Sequence, residues 1–99
     1  MTIYQYRTIL TSVAGSGGVT SLNVRGGILR HVIIKANTAT TLFKSNLVDD
    51  NGVNLMNWNF HRDEINDSGI AIPVAGKYTL NVTSASPNDT FSVYMGVEE

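Results

Sequence analysis

Short runs of alternating apolar and polar residues, each closed by Gly, Asn, Asp or Pro, recur along the whole chain, and no stretch keeps a helical period. Phe91, Val93, Met95 and Val97 alternate with Ser92, Tyr94 and Gly96; Tyr78, Leu80 and Val82 alternate with Thr79, Asn81 and Thr83. A period of two places each set on one face of a half-buried strand. Composition points the same way. Val, Ile and Thr, which suit a pleated surface, supply 28 residues, whereas Ala supplies 6, Leu 7, Glu 3 and Lys 3. The chain is therefore expected to be all-β.

The punctuation sets the strands. Residues 2–13 read as a first strand, with Tyr4, Tyr6, Thr8 and Leu10 on one face and Ile3, Gln5, Arg7 and Ile9 on the other. Gly15-Ser16-Gly17-Gly18 interrupts it as a Gly-rich joint. A short strand over 21–25 ends at Gly26-Gly27, which resets the chain before a strong strand over 28–36. There, Ile28, Val32 and Ile34 alternate against Leu29, His31 and Ile33. Strands over 41–48 and 53–60 flank Asp49-Asp50-Asn51-Gly52, whose Asn-Gly supplies the positive φ values of a hairpin turn. Residues 61–69 read as a polar loop with room for one helical turn, and 70–72 as a short strand ended by Pro73. Strands over 77–83 and 90–97 close the chain around a turn at 84–89.

Seven to eight strands at this spacing imply a single-domain antiparallel β-sandwich, jelly-roll or Ig-like, spanning residues 1–99. Residues 1–14 form an N-terminal strand or arm, and 15–18 the joint. The expected core is Leu29, Ile33, Phe43, Leu47, Trp58, Ile70, Ile72, Tyr78, Leu80, Val82, Phe91, Val93 and Met95. A core of this size holds a small domain without much surplus, so oligomerisation is a natural supplement that also covers strand edges.

Seven Lys+Arg against eight Asp+Glu give a formal charge of −1, which argues against binding nucleic acid through bulk charge. Charged residues are only 15% of the chain, so a surface of amides and hydroxyls repels its neighbours weakly and suits crowded assembly or extracellular life. With no Cys there is neither a disulfide framework nor a thiolate metal site. No apolar run is long enough to span a membrane, and the first residues do not read as a signal peptide.

Candidate chemistry is sparse. His31 and His61 have no ligand spacing around them and read as surface or structural residues. Asp49, Asp50 and Asn51 offer oxygens, but the turn is too short for a calcium loop and lacks its late Glu. His61-Arg62-Asp63 matches a fragment of a kinase catalytic loop without the rest of that signature. Asn66, Asn81 and Asn88 begin glycosylation triplets at about chance frequency. No nucleophile elbow or carboxylate pair stands out, so the expectation is a non-enzyme with no cofactor and no metal. Trp58 and Tyr94 are the alternative signal, an aromatic platform for sugar rings in a carbohydrate-binding or host-receptor-binding module.

Two resemblances add to this reading. Residues 47–52, the segment Ile72-Pro73-Val74-Ala75-Gly76-Lys77-Tyr78-Thr79-Leu80-Asn81-Val82 and Phe91-Ser92-Val93-Tyr94-Met95 resemble jelly-roll modules of the pre-peptidase and carbohydrate-binding kind. The whole chain, through its segment Arg25–Ala36, its segment Ile72–Thr79 and its acidic end Val97-Glu98-Glu99, resembles small all-β virion structural proteins of tailed bacteriophages. The second resemblance implies a capsid decoration, cement or tail-accessory role. It implies synthesis in the host cytoplasm, residence in the virion, and phage coat or tail proteins as partners.

The N-terminal strand then becomes the expected contact. Ile3, Tyr4, Tyr6 and Ile9 are its candidate partner-binding residues. The strand either folds back as an edge of its own sandwich or adds to a neighbour's sheet, where backbone hydrogen bonds give affinity and alternate side chains specificity. A homo-oligomer, with a trimer preferred, is expected from such contacts.

Overall fold

The computed structural model describes residues 2–12, 18–84 and 89–99. Strand β1 (Ile3–Ser12) is followed by the 19-residue β2 (Gly18–Ala36), then β3 (Leu42–Asp49), β4 (Asn54–Arg62), β5 (Glu64–Asp67), β6 (Ile72–Ser84) and β7 (Asp89–Glu98). All pairings are antiparallel, in the order β1-β7-β2-β6-β3-β4, with β5 on β2. The expected all-β antiparallel architecture is what the chain adopts. The N-terminal strand lies against its own β7 along all ten residues, from Ile3 opposite Glu98 to Ser12 opposite Asp89.

One long strand serves two layers. The first half of β2 pairs with β6, which leads on to β3 and β4; its second half pairs with β7 and β5, with β1 beyond β7. The sheet folds over so that strands far apart in the ladder touch. Phe43 of β3 and Phe91 of β7 meet with ring centroids 4.8 Å apart, and Thr8 of β1 stands 3.4 Å from Thr20 of β2 through their hydroxyls. Leu29, Val32, Ile34, Phe43, Leu47, Ile65, Leu80, Val82, Phe91, Met95 and Val97 fill the space between the layers.

Two bulges in β2 decide which of its residues face that core. Leu22 and Val24 point inward; then Arg25 and Gly26 stand against the single residue Ala75 of β6. The extra residue reverses the parity, so Leu29 points inward. Arg30 is a second insertion, between the pairs Leu29–Val97 and His31–Gly96, and restores the parity for Val32, Ile34 and Ala36. Simple alternation over 28–36 put Leu29, His31 and Ile33 on one face. The structure corrects this: Leu29 is in the core, and Ile33 is half-buried on the outer face.

Three further expectations change. Gly26-Gly27 is a bend within β2 rather than a break between strands. The segment expected to be a polar loop contains β5, because Ile65 reaches the core opposite Ile34 and Asp63, with φ of 74°, turns the chain there from β4. Pro73 lies inside β6, on a stretch that the pairing of Tyr78–Ser84 with β3 does not reach, so its missing N–H is tolerated. Ile70 is buried just before β6, and Ile72 is partly buried against the core. The expected hairpin turn is present. Asp49 Oδ1 accepts from the N–H groups of Asn51 and Val53 at 2.9 and 2.8 Å, and Gly52 has φ of +83°. The Gly-rich joint and the turn ahead of β7 fall outside the described residues, apart from Gly18, Ser84 and Asp89 at their ends.

The connection from β2 to β3 is tied to β7 through Asp89. This buried carboxylate accepts from Thr41 Oγ1 at 2.6 Å, from the Thr38 N–H at 3.1 Å and from its neighbour's N–H at 2.8 Å. Burial pushes its carboxyl up, but the hydrogen bonds from Thr41, Thr38 and Thr90 together outweigh that and hold it below the ordinary Asp value.

Candidate functional site

The outer face of the β1–β7–β2 layer carries an open trough of about 820 Å³. Its rows follow from the ladder. Arg7, Tyr94, Ile33 and Asn66 stand side by side across β1, β7, β2 and β5, and Ile9, Ser92, Lys35 and Glu64 form the next row. Gln5, Gly96 and His31 form a third. Tyr94 is the centre. Its hydroxyl lies 3.0 Å from where a Cβ on Gly96 would be, so the ring leans over the glycine into the space that a side chain would fill. The Arg7 guanidinium sits 5.0 Å from the Tyr94 centroid, and the His31 ring meets it edge-on at 5.6 Å. His31 Nε2 is 2.7 Å from Asn66 Oδ1, which fixes the imidazole from the β5 side. Lys35 is ion-paired with Asp63 at the rim.

Three cationic or titratable nitrogen side chains, Arg7, His31 and Lys35, thus line a trough whose lining includes no carboxylate among the described residues. Its apolar ground comes from Ile33 and from Ile9, which is 71% exposed. Aromatic, Arg and aliphatic groups on an ordered sheet face are the usual makings of a protein contact.

The structure divides the expected partner-binding residues. Ile3 and Ile9 are on the outer face, 52% and 71% exposed. Tyr4 and Tyr6 face the other way and are engaged within the chain. Tyr4 donates to Glu99 Oε2 at 2.8 Å beneath the Arg25 guanidinium, 3.9 Å from its ring. Tyr6 Oη accepts from the Arg25 N–H at 3.0 Å. The hydrogen bond that Tyr4 donates to the Glu99 carboxylate holds the phenol above its ordinary value.

Trp58 and Tyr94 do not meet in one platform. Trp58 is 7% exposed in β4, packs into the core and donates from Nε1 to Asp67 Oδ2 at 3.1 Å. Tyr94 lies on the outer face of the other layer. His61 turns its Nδ1 to the Asn59 carbonyl at 2.7 Å. Asp49 is occupied by its own turn. Among the described residues, no three His, Asp or Glu side chains converge as a metal site would need.

The alternation of β1 and β7 already put Arg7, Ile9, Ser92 and Tyr94 on the faces they occupy. What the alternation did not contain is that β1 and the second half of β2 flank β7, which joins these residues to His31, Ile33 and Lys35. No protein-family model matches the chain, and no curated protein matches it either.

Proposed function

We propose that this chain is a non-enzymatic virion structural protein of a tailed bacteriophage, a capsid decoration, cement or tail-accessory protein that binds a coat or tail protein. The observation that carries the reading is the Tyr94 trough, with Arg7 and His31 against the ring and Ile9 and Ile33 beside it. A Tyr ring and an Arg held in place by neighbours lose little freedom on docking, and the adjacent isoleucines supply apolar area. The low charge of the chain and its resemblance to small virion proteins supply the context.

The test is mass spectrometry of purified virions, followed by rebinding of the isolated protein to particles stripped of it. The protein is expected in the particles, and Tyr94→Ala with Ile9→Glu is expected to abolish rebinding while thermal unfolding shows an intact fold. Absence from particles, or rebinding unaffected by both substitutions, refutes the proposal.

A further inference from the structure

Charge is unevenly answered around the Tyr94 trough. Arg7 is exposed, and among the described residues its guanidinium makes one side-chain hydrogen bond, a long one of 3.4 Å to the Gln5 amide oxygen. No described carboxylate pairs with it. The acids of β5 and β7 have partners of their own: Glu64 accepts from Asn66, Asp67 from Trp58 and Asp89 from Thr41, and Glu98 pairs with Arg30. Lys35, the other cation lining the trough, is answered by Asp63. Glu64 stands next to Lys35 at the β5 side, across β2 and β7 from the strand that carries Arg7. Arg7 is thus the lining cation with no acid beside it among the described residues.

A guanidinium is a planar fork of N–H donors, and a carboxylate fits it with two oxygens against two N–H groups. Tyr94 holds the Arg7 fork from one side, and aliphatic groups border it: Ile9 lies on the same face of β1, and Ile33 stands in the Arg7–Tyr94 row. One unanswered positive charge suits one negative charge. A phosphate dianion or a nucleic-acid backbone would bring more than this trough neutralises. Two troughs set face to face would bring two unanswered cations into one interface, which disfavours a symmetric dimer here. We propose that the trough binds an acidic segment of the coat or tail partner, in which one Asp or Glu carboxylate takes the Arg7 guanidinium and neighbouring aliphatic side chains cover Ile9 and Ile33. The proposal names the chemistry of the partner and rests on the reading of the trough as the docking face.

The probes are a blocked tripeptide with glutamate between two leucines and its glutamine counterpart, titrated into the isotope-labelled full chain and followed by backbone amide shifts. The glutamate peptide is expected to move the amides of Arg7, Ile9 and Tyr94 and to bind at least about tenfold tighter than the glutamine peptide, the difference a charge-assisted hydrogen bond makes. Arg7→Gln is expected to erase that preference at an unchanged unfolding temperature. Lys77→Gln, the same charge change on β6 outside the trough, is expected to keep it. Equal affinity for the two peptides on the unaltered chain overturns the proposal, as does no shift of these amides at ~10 mM peptide, tenfold beyond millimolar binding. So does a preference that survives Arg7→Gln, or one that Lys77→Gln erases equally. A short DNA duplex that moves the same amides at lower concentration would give the trough to nucleic acid, and self-association in sedimentation that Arg7→Gln abolishes would give it to a second copy; either result overturns the acidic partner segment. Rebinding to stripped virions separates this proposal from the reading beneath it. A chain that prefers the glutamate peptide but is absent from particles refutes the virion role and leaves the trough's preference for an acid standing. A chain that is present in particles and rebinds as well with Arg7→Gln refutes the acidic contact and leaves docking through Tyr94 and Ile9 standing.

Discussion

Gly26 and Gly27 are adjacent, chemically identical and equally suggestive of a break, yet the structure assigns them opposite sensitivities. A Cβ on Gly27 would lie 2.6 Å from the Glu98 carbonyl oxygen and 2.8 Å from Val97 Cγ1. The nearer obstacle is backbone, held in the ladder where Ile28 faces Glu98 and Leu29 faces Val97, so no rotamer change relieves it. A Cβ on Gly26 would meet only the Ala75 methyl, at 3.9 Å, an ordinary contact. Gly27→Ala must therefore move the end of β7 away from the bend of β2, and overpacking of this kind costs about 2–3 kcal/mol. Gly26→Ala removes unfolded-state freedom without a clash and stabilises by about 0.4–1 kcal/mol. For a domain of this size 1 kcal/mol moves the midpoint by at least about 4 °C, so Gly27→Ala should melt at least about 8 °C lower and Gly26→Ala a few degrees higher. Equilibrium urea unfolding with both variants, at an unchanged denaturant slope, separates stability from any change in the unfolded state. Gly27→Ala within about 0.5 kcal/mol of the parent, the range of a harmless surface change, would refute the close approach of β7. Gly26→Ala as damaging as Gly27→Ala would refute the placement of the bulge.

Trp58→Ala is expected to cost about 3–5 kcal/mol in the same assay, because the indole packs in the core and its N–H bonds Asp67; a loss under about 1 kcal/mol would place the ring on the surface. Asp89→Asn should destabilise at neutral pH by about 1.5–3 kcal/mol through its charged hydrogen bonds to Thr38, Thr41 and Thr90. Since the folded carboxyl lies below its ordinary value, this contribution is fully present above the unfolded pKa of about 3.9 and fades as pH falls through the folded value. The gap between parent and Asp89→Asn should therefore close in acid, and a gap that widened there would reverse the assigned direction.

The sequence by itself determined the fold class, the hairpin at 49–52 and most of the core. β-branched alternation leaves a chain poor in helix formers little choice but strands, and a strand whose period is undisturbed shows its buried face directly. Phe43, Leu47, Tyr78, Leu80, Val82, Phe91, Val93 and Met95 are all buried as their alternation predicts. Tertiary structure decided wherever one residue too many stood in a strand. Arg30 is an ordinary residue in an ordinary run, and only the partner that leaves it unpaired makes it a bulge, which sends Leu29 inward and Ile33 outward. The fate of Ile65 was decided in the same way: a single apolar residue in a polar segment carries no period, and the space opposite Ile34 makes a strand of it. The candidate site belongs to this second category. Tyr94, Arg7 and His31 are far apart along the chain and become neighbours only through strand order, which local pattern does not encode because the pairing energy of a strand depends on what lies beside it.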